Sequence, residues 1–296
     1  MEVSKEIEKR SNEEEAPLDG IRREYLSKLS EKRGRNVIAY YSGWLRDDFN
    51  VSAVALSDAD MNGFMGSVRG LKRKKGLDLI LHTPGGDLAA AESIIKYLRS
   101  CFGNDVVAIV PQLAMSAGTM IACSCKEIVM GRQSSIGPTD PQLSGVPASG
   151  VVEEFEQAVK AIKEEPESVE LWTQIIGKYH PTFLGDCQKA IEASLGIVRD
   201  CLARNMFADN RDPRKRAREV AAKLSDHSAS AMHNRHFSID EAIAMGLKVG
   251  KLEDDDEFQD LVLTIHHAYI STFSQSSAAK IIENHQGVRW IQTVRM

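Results

Sequence analysis

The chain lacks the features that would point to export, a membrane or nucleic acid. Its 296 residues contain no run of about 18 apolar residues, the length that a bilayer-spanning helix needs. Residues 1–20 are charged throughout and offer no apolar core for a secretory signal. A net charge of −5 leaves no overall basic character for nucleic acid. We therefore expect no membrane span, no nucleic-acid partner and a cytoplasmic location.

Metal and cofactor signatures are also missing. The five cysteines are scattered and read as reduced thiols, which fits a cytoplasmic protein. His227, His233 and His236 lie near Asp226 but match no strong zinc spacing. The glycine pair at 85–86 lacks the Lys-Ser/Thr of a phosphate-binding loop and the third glycine of a dinucleotide fingerprint. We expect no metal and no cofactor.

What the sequence does contain is an alternation of strand and helix patterns. Almost wholly apolar or β-branched runs at 36–44, 77–83, 105–111 and 127–131 predict strands, and helical patterns separate them. This rhythm favours a parallel sheet with crossover helices. Helical patterns continue over about 150–207, and again over 238–246 and through a long amphipathic segment after residue 253. No clear linker interrupts them, so we expect one α/β domain with helical additions.

Two strand–helix junctions carry unusual residues. Pro84-Gly85-Gly86-Asp87 follows the strand at 77–83, and Ser116-Ala117-Gly118 follows the strand at 105–111. In a parallel sheet both junctions lie at the same carboxyl edge, where ligands bind. A serine at a helix start is suited to nucleophilic attack, because free backbone N–H groups can stabilise the resulting oxyanion. Gly85, Gly86 and Ala117 are the predicted N–H donors, although Ala114 replaces the first glycine of the G-x-S-x-G elbow.

Three ordered motifs extend this pattern: "LHTPGGD", "AMSAGTMIA" and "KEIVMGRQSSIGPTDPQL". They resemble the serine dehydrogenase proteinase family, part of the wider set of Clp-type and signal-peptide-peptidase-A-type serine peptidases. The resemblance implies a ClpP/crotonase-like spiral of ββα units with additional C-terminal helices, assembled as a homo-oligomer. It divides the chain into a charged arm or helix (1–35), a peptidase domain (36–270) and a C-terminal helical extension (271–296).

The resemblance also implies roles for individual residues. Ser116 matches the nucleophile, Gly85 matches the oxyanion-hole glycine and Ala117 supplies the second N–H group. Asp140 matches the segment that runs past the active site, and Gly86 completes the substrate-binding turn. The expected substrate is a peptide or protein.

The general base is less clear from the sequence. No histidine occurs between His82 and His180, which argues against a Clp-style Ser-His-Asp triad. The signal-peptide-peptidase branch uses a desolvated lysine of lowered pKa instead. Lys178, in the apolar "IIGKYHP", is the first candidate, Lys160 and Lys163 on a charged helix are others, and the absence of any lysine base is a further alternative. His82, beside the glycine turn, is expected to order that loop.

These observations predict a serine peptidase that forms an acyl-enzyme on Ser116. One alternative is a non-catalytic member that binds peptides or a partner protein, since no base is obvious. A second alternative is a crotonase-type acyl-CoA enzyme, which shares the fold and the oxyanion hole. The serine itself and the lack of an adjacent carboxylate argue against this second alternative.

Overall fold

The computed structural model describes residues 17–46, 48, 50–143, 145–225 and 235–294. Within them, a seven-stranded mixed sheet forms the centre of the protein. In spatial order its strands are β10 (Val249–Lys251), β5 (Glu127–Met130), β3 (Val106–Val110), β2 (Leu77–His82), β1 (Asn36–Ser42), β11 (Ala278–Asn284) and β12 (Arg289–Thr293). The first five strands run parallel, and β11 and β12 form an antiparallel hairpin at the edge. The predicted α/β class and its parallel strands are confirmed, whereas the spiral of ββα units stays a prediction.

Helices cover both faces of the sheet. They are α1 (Pro17–Arg33), α2 (Val51–Val54), α3 (Asp60–Val68), α4 (Leu88–Phe102), α5 (Ala117–Cys123), α6 (Ala148–Glu164), α7 (Val169–Ile176), α8 (Phe183–Arg204), α9 (Pro213–Ser225), α10 (Ile239–Met245) and α11 (Asp256–Gln275). None of these helices, in the part of the chain that the structure describes, is long and apolar enough to cross a membrane. The helix predicted over 238–246 is α10, where Ser238 and Glu241 form a capping box.

The central strands are buried on both faces, which explains their nearly continuous apolar sequences. Ile38 and Tyr40 of β1 belong to one core, which α4, α5, α8 and α9 complete. The alternate residues Val37 and Tyr41 belong to the second core, which α1 and α11 cover. Alternation of side chains along each strand therefore divides the interior into two apolar layers.

The helical extension predicted for 271–296 is wrong over most of its length. Helix α11 ends at Gln275, and the chain then forms the β11–β12 hairpin, whose first strand pairs antiparallel with β1. The sequence of β11, "AAKIIEN", hides this because three polar side chains interrupt the apolar run. All three are fully buried, and the protein supplies each with a partner: Lys280 pairs with Asp60, Glu283 with Arg22, and Asn284 with the carbonyl of Ser67.

Short strands outside the main sheet shape the region beyond its carboxyl edge. A three-stranded sheet has the order β4 (Leu113–Ala114), β6 (Ser135–Ile136) and β9 (Phe237–Ser238). A hairpin of β7 (Gln142–Leu143) and β8 (Val146–Pro147) precedes α6. The three-stranded sheet matters most, because both strand–helix junctions and the segment before β9 meet around it.

Candidate active site

The two glycine and serine junctions lie side by side, as the sequence predicts. Backbone hydrogen bonds join them: Thr83 N–H donates to Leu113 O over 3.1 Å, and Met115 N–H donates to Thr83 O over 3.0 Å. The chain segments that follow β2 and β3 therefore pair like adjacent parallel strands at one position, Thr83 with Ala114. This pairing brings Gly85 against Ser116.

Ser116 occupies a strained backbone conformation at the start of α5. Its φ of 50° and ψ of −116° make it the non-glycine residue with positive φ among those the structure describes. Such conformations cost on the order of 1–3 kcal/mol and concentrate at functional sites. Ser116 is partly exposed, while the helix that follows it is buried. The strain therefore presents the hydroxyl at a surface instead of packing it into the core.

Small and hydroxyl side chains hold this elbow in place. A Cβ on Gly118 would lie 2.5 Å from Thr83 Cγ2, so the close approach of α5 to the turn requires glycine. The Thr119 hydroxyl lies 2.8 Å from Ala114 O and 3.0 Å from both Gly137 O and Gly137 N. Thr119 ties the strands on both sides of the elbow together. Thr119 could not be identified from the sequence, since "SAGT" gives no indication of its hydrogen-bond partners.

Gly85 is required by both its conformation and its surroundings. Its φ is 90°, and an added Cβ would lie 2.6 Å from Met115 O, 2.8 Å from Ala117 N and 2.8 Å from Ser116 Cβ. Only glycine can bring its backbone so close to the serine. The close approach of the Gly85 backbone to Ser116 therefore supports the prediction that the glycine pair serves a backbone function at this site.

The backbone N–H groups available to a ligand differ from the three predicted from the sequence. Gly85 N–H donates to Thr83 Oγ1 over 3.1 Å, so it is occupied within its own turn. Within the described ranges, no hydrogen bond engages the N–H groups of Gly86 and Ala117. The pair of donors left for a ligand oxygen is therefore Gly86 and Ala117.

A short segment after α2 fixes the far side of the glycine turn. Leu56 N–H donates to Gly85 O over 2.8 Å, and Asp87 N–H donates to Leu56 O over 2.9 Å. A Cβ on Gly86 would lie 2.3 Å from Leu56 O and 2.4 Å from Leu56 N, so this strand-like pairing also needs glycine. Asp87 then caps α4 by accepting from Ala90 N–H over 2.7 Å.

These elements surround a cavity of about 1030 Å³ that includes Ser116, Gly85, Gly86 and Ala117 in its wall. Much of the remaining wall is apolar, with Trp44, Leu45, Val51, Leu88, Leu113 and Met120 among its members. Asp87 and His236 are the ionisable side chains among the described wall residues. The cavity suits an uncharged, mainly apolar ligand.

The predicted lysines lie elsewhere. Lys178 is exposed, two positions after the end of α7, and Lys160 and Lys163 are exposed on α6. None of the three belongs to the cavity wall. Asp140 is buried beside the wall residues Thr139 and Pro141 and accepts a hydrogen bond from Ser149 Oγ over 2.7 Å.

His236 lies on the cavity wall immediately before β9. Ala114 of β4 pairs with Ile136 of β6, and Ile136 pairs with Phe237 of β9. The antiparallel course of β9 brings His236 to the same end of the small sheet as the segment after Ala114. Two strand spacings, about 10 Å, separate the backbones there. Asp226, His227 and His233, considered above with His236, lie outside the described residues.

His82 lies beneath the glycine turn in a group of aromatic rings. It is fully buried and packs against Tyr41, Trp44 and His266 at ring-centroid distances of 5.5, 6.1 and 5.3 Å. Neither ring nitrogen has a hydrogen-bond partner among the described residues. Burial, and secondarily the neighbouring His266, lowers the pKa of His82 to about 3. Trp44 connects this group to the cavity wall.

This buried imidazole predicts acid sensitivity of the fold. His82 stays neutral in the folded state, whereas the unfolded chain takes up a proton below about pH 6.5. The free energy of unfolding should therefore fall as the pH drops from about 6.5 toward 4, by up to about 1.4 kcal/mol per pH unit for this residue. Urea denaturation across this range should show a flatter pH dependence for His82→Phe. The exposed His180→Phe control should keep the wild-type slope, and equal slopes for both variants would contradict the account.

Comparison with known proteins identifies two relatives and a family. The chain is 34% identical over 144 residues to the Uncharacterized protein MJ0137 of Methanocaldococcus jannaschii, covering 47% of this chain and 49% of that protein. It is 29% identical over 173 residues to the Uncharacterized protein MJ1495 of the same organism, covering 58% and 51%. The chain thus spans about half the length of these curated relatives. The profile of the ClpP-like SDH-type serine proteinases matches residues 14–269. Because that match includes both junctions and most of the sheet, the chain belongs to the family of ClpP-like SDH-type serine proteinases.

Proposed function

We propose that the protein is a serine peptidase that cleaves peptide bonds through an acyl-enzyme on Ser116. The observation that carries this proposal is the strained Ser116 on the cavity wall, together with the Gly86 and Ala117 N–H groups, which have no hydrogen-bond partner among the described residues. A strained backbone at a hydroxyl, with oxyanion donors next to it, is the arrangement that acyl transfer requires.

In the proposed reaction, a base takes the proton of Ser116 as Oγ bonds to the peptide carbonyl carbon. The carbonyl oxygen becomes an oxyanion and accepts hydrogen bonds from the Gly86 and Ala117 N–H groups. The C–N bond then breaks, and the leaving amine receives the proton from the base. Water, deprotonated by the same base, attacks the ester, and the C–O bond to Ser116 breaks with return of the proton to Oγ.

Two side chains are candidates for the general base. The family resemblance implies a lysine, and Lys178 is the candidate, but its exposed position requires the segment around α7 to move toward Ser116. His236 is also exposed, but it belongs to the cavity wall, and its backbone lies about 10 Å from the segment that leads to Ser116. The location of His236 supports it as the base, and Lys178 remains the lysine alternative.

The substrate class follows from the wall of the cavity. Apolar side chains dominate near Ser116, so we propose that the enzyme prefers peptides with uncharged, apolar residues at the cleavage site. Exposed Val159, Val169 and Leu171 on α6 and α7 support the further proposal of a homo-oligomer, which the mass of the protein in solution would test.

Cleavage of a mixed peptide library, mapped by mass spectrometry, tests the peptidase proposal. We expect cuts next to apolar residues and a loss of at least about 10²-fold in rate when the base is removed. His236→Gln and Lys178→Ala identify the base, with His180→Gln and Lys189→Ala as exposed controls. Loss in His236→Gln alone assigns the histidine, and loss in Lys178→Ala alone assigns the lysine. Intact peptides that bind without cleavage would favour the non-catalytic alternative.

A further inference from the structure

The C-terminal hairpin places a lysine inside the protein, close to the proposed oxyanion turn. Lys280 of β11 is fully buried, and its position lies beyond residues 14–269 that the family profile covers. Its Nζ lies 2.6 Å from Asp60 Oδ1, and both side chains are fully buried. A buried charge of this kind is costly unless its partners are complete.

The other contacts of Lys280 reach the segment that borders the glycine turn. Its Nζ donates to Ala55 O over 3.0 Å and to Ser57 Oγ over 3.3 Å. Together with the ion pair to Asp60, these two hydrogen bonds give the buried ammonium three oxygen neighbours. Lys280 therefore holds both residues that flank Leu56.

Asp60 completes the same network from the start of α3. Its Oδ2 accepts from Ser57 N–H over 2.9 Å and from the Tyr40 hydroxyl over 3.1 Å. Tyr40 belongs to β1, the strand next to β2, which leads into the glycine turn. The ion pair thus fastens residues 55–57 to the central sheet from two sides.

Leu56 transmits this placement to the turn. Its N–H and C=O bind Gly85 O and Asp87 N–H, so it lies directly against the peptide groups on both sides of Gly86. A shift of Leu56 would move the Gly86 N–H relative to Ser116. Displacements of about 1 Å in such groups can cost about 10²-fold in rate.

We propose that Lys280 is a positioning residue for the oxyanion hole, acting through Asp60 and the Ala55–Ser57 segment. This inference rests on the proposed function of Ser116. It makes the C-terminal hairpin part of the catalytic machinery, although Lys280 contacts no substrate itself.

The test replaces the ion pair with a neutral pair, Lys280→Met/Asp60→Asn. The matched control is Arg22→Met/Glu283→Gln, which removes an equally buried ion pair from the other face of the same strand. We expect the Lys280 pair variant to lose about 10- to 100-fold in kcat with little change in KM. The control should keep the wild-type kcat when both variants are assayed well below their melting temperatures. Lys280→Arg should restore part of the lost kcat.

Hydrogen exchange separates this inference from the proposed function. The amides of Leu56 and Asp87 should exchange faster in the Lys280 pair variant than in the control, whether or not the protein cleaves peptides. If wild type and Ser116→Ala are equally inactive, the proposed function fails, and exchange alone decides whether Lys280 holds the turn. Equal exchange in both pair variants, or an unchanged kcat in the Lys280 pair variant, would overturn the inference.

Discussion

Gly85→Ala is expected to abolish most of the activity. The added Cβ would lie within 2.8 Å of Met115 O, Ala117 N and Ser116 Cβ, and alanine is also strained at a φ of 90°. The turn must move away from the serine, which separates the Gly86 and Ala117 N–H groups. Loss of one oxyanion donor lowers kcat by about 10²–10³-fold, and we expect a loss of that order.

A second glycine separates the effect of position from that of conformation. Gly103 also has a positive φ, of 63°, but an added Cβ there would meet nothing within 4 Å. Gly103→Ala should therefore lower stability through backbone strain while leaving kcat unchanged. The assay is peptide cleavage by folded protein, with the melting temperature recorded for each variant. Full activity in Gly85→Ala would contradict the geometry proposed for the oxyanion hole.

Ser116→Gly is expected to remove activity completely and to stabilise the fold relative to Ser116→Ala. Both variants lack the nucleophile, but only glycine adopts a φ of 50° without strain. Relief of about 1–3 kcal/mol of strain, reduced by the greater entropy of glycine in the unfolded chain, leaves about 1 kcal/mol. That difference corresponds to roughly 2–4 °C in melting temperature for a protein of this size.

Calorimetry of the two inactive variants measures this difference directly, because neither variant can digest itself. A higher melting temperature for Ser116→Gly would show that the wild-type protein holds its nucleophile at a cost in stability. Equal melting temperatures would contradict the expected strain, because they would show that relief at Ser116 does not exceed the entropy cost of glycine in the unfolded chain.

Local sequence patterns were enough to predict the two junctions. Each is a buried apolar strand followed by a turn and a helix, so the identity of Gly85, Gly86 and Ser116 carries the signal. The parallel course of the strands then brings the junctions to one edge. Which N–H groups remain available to a ligand was not predictable in this way. The hydrogen bond from Gly85 N–H to Thr83 Oγ1 forms only in the folded turn.

Contacts between distant parts of the chain could not be predicted from the sequence. Lys280 and Ser57 are 223 positions apart, and no local pattern links them. The polar residues in β11 look incompatible with a buried strand until Asp60 and Arg22 are known to pair with them. From the sequence, His236 was considered only as a metal ligand. Its position on the cavity wall depends on the pairing of β6 with β9, which no local pattern predicts.

The central claim is that Ser116 is an activated nucleophile beside an oxyanion hole. A fluorophosphonate probe tests it most directly, since the probe needs both features but no knowledge of the natural substrate. The purified protein would be treated with the probe at about pH 8, and the labelled peptide mapped by mass spectrometry. The account predicts a single label on Ser116 that disappears in Ser116→Gly and weakens strongly in Gly85→Ala. A folded protein that takes up no label, or carries it on another residue, would contradict the account.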